Sequence, residues 1–331
     1  MENIFEGKVI LVTGGCGSIG SEIVRQLLQR NPSRVRVLDN DESGHWRLSQ
    51  ELQTPILRNL IGDIRDRDRV RRAMEGVDIV FHAAALKHVP LCEYNPFEAV
   101  QTNVVGTQNV IDAAITHGVK KIIGVSTDKA VNPINTMGAT KLLSERLIVN
   151  APVGFSNIQV ACVRFGNVLG SVGSVIPMFH QQIAKGGPVT ITTADMTRFF
   201  MTIPQAVGLV LKAAADMVGH EVFVLKMDVA RIQDIAEVMI EELAPRYGFK
   251  AADIAIEYIG KRAGEKTHEY LFTEDEAPYI TVTEDMFVIR DSPFDPLKAE
   301  NNNPEEVMRL GMGQPIDKQT IRHILQSNGL L

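Results

Sequence analysis

Thr127, Asp128 and Lys129 place a hydroxyl, a carboxyl and an amine on consecutive residues. They follow Lys121 to Ser126 (KIIGVS), an apolar β-branched run that reads as a buried strand. An acid beside a base at a strand end suits elimination of water, which needs one group to take a proton from carbon and another to protonate the departing hydroxyl. Further on, Lys141 follows Met137 by four positions, so the two share a helix face. The Met137 thioether cannot accept and return a proton.

A second set of residues is built for phosphate. Gly14, Gly17 and Gly20, with Ser18 and Ile19 between them, join the apolar run Lys8 to Thr13 to a helical pattern over Ser18 to Arg30. Glycines there let the backbone turn sharply and approach a pyrophosphate, while the helix amino terminus offers N–H donors. Asp39 ends a second strand (Arg34 to Leu38), 19 residues after Gly20. A carboxylate there accepts from ribose hydroxyls and repels a 2′-phosphate, which favours NAD; Arg36 and Arg47 leave NADP open. Asp63 and Ile64 follow a third strand, Ile56 to Ile61. Asp63 reads equally as an acceptor for adenine and as a cap for the charged helix over Asp63 to Met74. After a fourth strand, Asp78 to His82, the small residues Ala83 and Ala84 let a cofactor lie flat, and His82 reads as a packed strand-end histidine.

These groups need a frame. Strands alternating with longer helical patterns, including helices over Ala99 to His117 and Asn135 to Asn150 and a strand over Ile158 to Arg164, predict βαβ units and a parallel sheet. The rhythm changes at Gly166 to Gly187, where five glycines suggest loops beside a ligand. A helix over Pro204 to Met217, a strand over Glu221 to Lys226 and a helix over Arg231 to Leu243 follow. Asn301 to Asn303 then lead Pro304 into a last helical region.

Composition narrows the field. The 331 residues carry 34 Lys+Arg against 40 Asp+Glu, a formal charge of −6, which argues against bulk-charge binding of nucleic acid or anionic lipid. Cys16, Cys92 and Cys162 imply neither a disulfide framework nor a zinc site, and no metal is expected. No apolar run reaches the roughly 20 residues of a membrane helix, and Met1 to Lys8 lack a signal-peptide core. A cytoplasmic protein without membrane insertion is the expectation.

Several strings carry a family resemblance: HAAALKHVPLCEYNP (82–96), TNVVGTQNV (102–110), STDKAVNPINTMGATK (126–141), VRFGNVLGSVGSVIP (163–177), MTRFFMTI (196–203) and KRAGEKTHE (261–269). They resemble the extended short-chain dehydrogenase/reductase superfamily, and within it the nucleotide-sugar 4,6-dehydratases of polysaccharide biosynthesis. The resemblance implies an α/β fold: a Rossmann-type doubly wound parallel sheet with a smaller mixed α/β carboxy-terminal substrate lobe. Residues 1–165 would form the NAD-binding domain, with 200–230 packing back on it, and 166–199 plus 231–331 the substrate lobe.

It also implies roles. UDP-N-acetylglucosamine would be oxidised at C4, lose water across C5 and C6, and recover a hydride at C6. Lys129 would take the C5 proton, Asp128, held protonated, would serve the leaving hydroxyl, and Thr127 would bind the C4 oxygen. Met137 stands where the superfamily has tyrosine, as in some members of this dehydratase family, and Lys141 binds the ribose. Asp128 or a water would then accept the C4 hydroxyl proton. Lys87 would reach cofactor or sugar; Val168 would pack near the nicotinamide. Asn167, Thr192, Arg198, Arg262 and Glu265 would bind substrate, although Arg198 could equally brace its loop. His268 reads as loop support. A homo-oligomer is expected by analogy. A C4 epimerase and a non-catalytic NAD-binding sensor or scaffold are the alternatives.

Overall fold

A computed structural model describes residues 3–151, 158–171, 173–290 and 303–331; Met1, Glu2, Asn301 and Asn302 of the sequence reading lie outside them. The strands are β1 (Val9–Thr13), β2 (Arg34–Asp39), β3 (Leu57–Ile61), β4 (Ile79–His82), β5 (Lys121–Val125), β6 (Gln159–Arg164) and β7 (Asn167–Leu169). Then come β8 (Val189–Ile191), β9 (Thr197–Thr202), β10 (Glu221–Leu225), β11 (Asp228–Arg231), β12 (Ile256–Tyr258), β13 (Ile280–Val282) and β14 (Met286–Ile289). The helices are α1 (Ser18–Leu28), α2 (Glu42–Leu52), α3 (Arg67–Met74), α4 (Val89–Tyr94), α5 (Pro96–Val100) and α6 (Gly106–Thr116). They continue as α7 (Thr136–Val149), α8 (Val175–Ala184), α9 (Ile203–Asp216), α10 (Ile232–Leu243), α11 (Pro304–Met312) and α12 (Lys318–Ser327).

Nine strands form the main sheet in the order β13-β14-β10-β6-β5-β4-β1-β2-β3. From β3 to β10 all neighbours are parallel, and β14 and β13 close the far edge antiparallel. The period-2 pleat divides each strand between two cores: Leu11 of β1 faces the cluster with Val70, Val110 and Ile148 of α3, α6 and α7. Ile10 and Val12 face Ile23, Leu27 and Val207 of α1 and α9. Helices on both faces explain why the strands read as continuous apolar runs. The strand order reverses between β1 and β4, which opens a crevice at their carboxyl ends.

The smaller lobe has a three-stranded sheet, β11-β9-β7, and a two-stranded one, β12-β8. Its core joins Phe179 and Ile183 of α8 to Ile235 and Met239 of α10 and Leu325 of α12. Within residues 231–331, β13 and β14 belong to the main sheet rather than to the smaller lobe.

Four local expectations change. The stretch anticipated as loops over Gly166 to Gly187 contains strand β7 and helix α8, whose buried Ile176, Phe179 and Ile183 have helical spacing beneath the glycine-rich flanks. The helix expected over Ala99 to His117 is segmented: α5 starts at Pro96, and a π-helical turn over Gln101–Val105 precedes α6. Helix α2, capped by the Asp41 side chain on Gly44 N, has no counterpart in the sequence reading. The charged helix begins at Arg67, and its cap is Asp66, which accepts from Arg69 N; Asp63 is not the cap.

Candidate active site

A single cleft of about 860 Å³ lies over the carboxyl ends of the central strands. Every residue expected on the cofactor side lines it: Gly14, Gly17, Ser18, Ile19, Gly20, Asp39, Asp63, Ile64, Ala83, Ala84, Lys87, Lys141 and Val168. The glycines are dictated by closeness. Gly14 has φ +67°, and a Cβ there would meet Ala84 N at 2.6 Å; a Cβ on Gly20 would collide with the Gly14 carbonyl. The N-cap of α1 is Gly17, which makes no side-chain cap hydrogen bond, and Ser18, Ile19 and Gly20 of the first turn line the cleft. Asp39 is held by Cys16 N (2.9 Å) and Asp41 N (3.0 Å). Arg36 turns away and donates to the carbonyls of Ala73 and Glu75, so it does not compensate a charge beside Asp39. The cleft residues therefore fit a dinucleotide: donors for a pyrophosphate at one strand end and a carboxylate for a ribose at the next. Asp63 accepts from Arg65 Nη2 (2.6 Å) and from Arg65 N (2.9 Å). Burial alone pushes its carboxyl up, but Arg65 holds it below the ordinary range.

His82 is not a base. Burial, then the nearby Lys141 charge, push its imidazole down to about 3, and its two nitrogens pair with Thr13 Oγ1 (2.7 Å) and Thr107 Oγ1 (2.9 Å).

The reactive residues meet at the end of β5. Thr127 caps a 3₁₀ turn over Asp128–Ala130, and Asp128 N donates to Phe165 O (3.1 Å), locking the turn to the end of β6. Asp128 Oδ1 accepts from Thr127 Oγ1 (2.9 Å) and from Lys129 Nζ (3.0 Å). Lys129 Nζ also donates to Asn167 Oδ1 (3.0 Å). Thr127, Lys129, Asn167, Met137 and Lys141 line the cleft, whereas the Asp128 side chain is wholly buried behind it. Asp128 therefore stands behind the cleft wall, in contact with it through Thr127 and Lys129. Lys141 Nζ donates to Val125 O (2.6 Å), and burial lowers its pKa. Met137 packs with Cys92 and Ala99.

The smaller lobe closes the cleft through residues 262–269. Asn135 caps α7 by accepting from Gly138 N (2.7 Å), and its Nδ2 donates to Gly264 O (2.8 Å). Arg262 and Glu265 line the cleft. So does Arg198, but its guanidinium donates to the carbonyls of Thr197, Lys266 and Thr267, which is the bracing role. His268 pairs with Thr197 Oγ1 at 2.8 Å, as expected of loop support. Thr192 is the exception among the expected substrate residues. It continues the β8–β12 pairing, its carbonyl accepting from Gly260 N, and it does not line the cleft.

Two features escaped the sequence reading. Glu269 lines the cleft although it is only 8% exposed, and burial, then Asp128, raise its carboxyl above the ordinary range. Arg164 is buried between Glu145 of α7 and Glu276, with four N–H···O contacts of 2.6 to 2.9 Å. No local spacing could reveal the Arg164 cluster, because Glu276 is distant in sequence. Among the described residues, no group of His, Cys, Asp and Glu could hold a metal, and no helix is long and apolar enough to cross a membrane.

The fold and the cleft define an extended short-chain dehydrogenase/reductase of the group that acts on nucleotide sugars, related to the 4,6-dehydratases and 4-epimerases. The chain belongs to the polysaccharide biosynthesis protein family, whose model matches residues 10–291. It is 53% identical to a Methanocaldococcus jannaschii protein named an uncharacterized membrane protein, over 98% of this chain and 97% of that one. A Campylobacter jejuni UDP-N-acetylglucosamine 4,6-dehydratase (inverting) is 41% identical over 87% of this chain and 84% of its own. A Rickettsia rickettsii UDP-glucose 4-epimerase is 42% identical over 82% and 80%. The structure of Pen from Bacillus thuringiensis superposes with a TM-score of 0.91 at 44% identity, covering 99% of both chains.

Proposed function

We propose that this protein is an NAD-dependent nucleotide-sugar 4,6-dehydratase acting on UDP-N-acetylglucosamine. The observation that carries the reading is the Lys129 amine on the cleft wall, hydrogen-bonded to a buried carboxylate and to Asn167, beside a methionine that cannot carry protons. The chemistry a dinucleotide supplies when bound is reversible hydride acceptance, so oxidation at C4 and reduction at C6 leave no net redox change. Thr127 donates its own hydrogen to Asp128 Oδ1, so its oxygen is free to accept the C4 hydroxyl hydrogen and pass a proton on to Asp128. This route replaces the missing tyrosine. A ketone at C4 acidifies the C5 hydrogen, and Lys129 takes it as the general base. Asp128, having received the C4 hydroxyl proton, returns it to the departing C6 hydroxyl through the Thr127 hydroxyl to which it is hydrogen-bonded. Lys141, tied to Val125 O, presents its charge at the ribose end of the same wall, while Lys87 and Arg262 meet the diphosphate charge.

The epimerase reading is favoured by the Rickettsia relative, which is as similar as the Campylobacter dehydratase. Against it stands Lys129 on the cleft wall, because epimerisation at C4 has no use for an amine base at C5. Incubation with UDP-N-acetylglucosamine in deuterated water separates the two. Dehydration releases water and leaves deuterium at C5; an isomer of unchanged mass is an epimerase product. Lys129→Ala is expected to abolish water loss while the purified protein retains dinucleotide. Undiminished turnover by that variant refutes the assigned base.

A further inference from the structure

Residues 260–267 form a loop of the smaller lobe that borders the cleft. Both ends are tied to that lobe. Gly260 N donates to Thr192 O (3.2 Å), while Thr197 N and the Arg198 guanidinium donate to or accept the neck of the loop through Thr267 O (3.2 and 3.0 Å). The tip is a tight turn in which Glu265 N donates to Arg262 O (3.2 Å) and the Glu265 carboxylate accepts from Arg262 N (3.4 Å). Arg262 and Glu265, both on the cleft wall, are therefore carried as one unit.

A side chain of the dinucleotide-binding domain holds that unit. Asn135 Nδ2 donates to Gly264 O (2.8 Å), a contact between residues 129 positions apart. The carboxamide cannot turn round, because its Oδ1 accepts from Gly138 N (2.7 Å) as the cap of α7. The approach is close: Gly264 has φ +78°, and a Cβ there would stand 3.0 Å from Asn135 Cβ. Lys266 Nζ, donating to Val131 O (2.6 Å), joins the same two segments. One carboxamide thus sets the register between the turn bearing Arg262 and Glu265 and the helix bearing Met137 and Lys141.

The geometry points to Asn135 as a positioning residue for substrate: its oxygen fixes the start of α7, and its NH2 group holds the 262–265 turn where Arg262 and Glu265 can meet the nucleoside diphosphate. The inference rests on the nucleotide-sugar part of the proposed function, and holds for a dehydratase and an epimerase alike. A helix cap alone needs only an acceptor, which serine or aspartate supplies as well. Only a carboxamide adds a donor on a second atom, aimed here at the opposite lobe.

Asn135→Ser tests it, because the hydroxyl can cap α7, is too short to reach Gly264 as well, and adds no charge to the cleft. Affinity for UDP, measured by isothermal titration calorimetry, is expected to fall by about tenfold or more, the scale of one lost charge-assisted hydrogen bond. KM for UDP-N-acetylglucosamine should rise by more than kcat falls, with bound dinucleotide retained and Tm within about 3 °C of the parent. UDP affinity within about twofold of the parent overturns the proposal. So does a loss confined to Tm and bound dinucleotide, which is what a helix cap alone would show. If the variant does not fold, Gly264→Ala probes the contact from the other side, since its Cβ pushes the turn away from an intact cap. UDP affinity should again fall by about tenfold, and an unchanged affinity refutes the role. If the parent binds UDP but releases no water from UDP-N-acetylglucosamine, the dehydratase reading fails while weakened UDP binding by Asn135→Ser still supports this inference. A parent that binds no UDP overturns both.

Discussion

Replacing Arg164 with methionine should be among the most damaging single changes in the chain. The guanidinium is 1% exposed and is the shared cation for Glu145 and Glu276, whose side chains are 0% and 6% exposed. Removing it strands two buried carboxylates, and breaking a buried ion pair in this way costs about 3–5 kcal/mol. The entropy of unfolding, about 2.1 cal/mol/K per residue, amounts over 331 residues to about 0.7 kcal/mol/K, so Tm should fall by about 4–7 °C. Differential scanning calorimetry measures this directly. Replacing all three, Arg164→Met with Glu145→Gln and Glu276→Gln, should recover much of the loss, because no charge is then buried without a partner.

The pH dependence gives an independent sign. In the parent, burial alone pushes Glu276 up, but the hydrogen bonds and charge of Arg164 hold it below its ordinary value of 4.5. A carboxyl depressed in the folded state stabilises above the unfolded pKa, and that contribution is lost as pH falls through the folded value. Parent stability should therefore decline below about pH 4.5. With Arg164 gone, burial is opposed only by the Thr273 N–H and the half-exposed Arg146, so the folded carboxyl should rise and the contribution of Glu276 should lose much of its decline as pH falls. A Tm change of less than about 1 °C for Arg164→Met, or an unchanged slope with pH, would refute the reasoning.

Three further outcomes can be checked. Gly138→Ala should not give the usual helical gain of about 1 kcal/mol, because its Cβ would collide with the Lys129 carbonyl; steady-state kinetics should show a fall in kcat larger than any loss of Tm explains. Gly14→Ala combines φ +67° with a Cβ 2.6 Å from Ala84 N, so the purified protein should carry little dinucleotide, as read from the absorbance of its denatured supernatant. The His82 ring, held down to about 3, should show no titration by NMR between about pH 5 and 8. Because the unfolded histidine protonates near 6.5, His82 should make stability fall as pH drops from there towards 3.

Where the signal is local, the sequence was legible. The apolar runs of β1, β4, β5 and β6 are buried on both faces, so their composition alone announces them. The glycine turn was equally legible, because only glycine tolerates the approach of Ala83 and Ala84. Helix α8 was obscured because glycines flank an apolar pattern of only three buried positions. Strands β13 and β14 are short and lie far along the chain, so nothing nearby in sequence says which sheet they extend. Asp63 heads the charged run and so read as a cap, whereas the turn geometry makes Asp66 the cap.

By itself, the sequence determined the dinucleotide-binding half of the cleft and the presence of an amine and a carboxyl at the end of β5, since these depend on residues adjacent in the chain. Tertiary structure decided how those groups are used. It buried Asp128 behind Lys129, turned Arg198 onto backbone carbonyls, kept Thr192 out of the cleft and brought Glu269 to its wall. The reason is electrostatic. What a side chain can do depends on its burial and on its partners, and contacts such as Arg164 with Glu276 and Asn135 with Gly264 join residues more than a hundred positions apart.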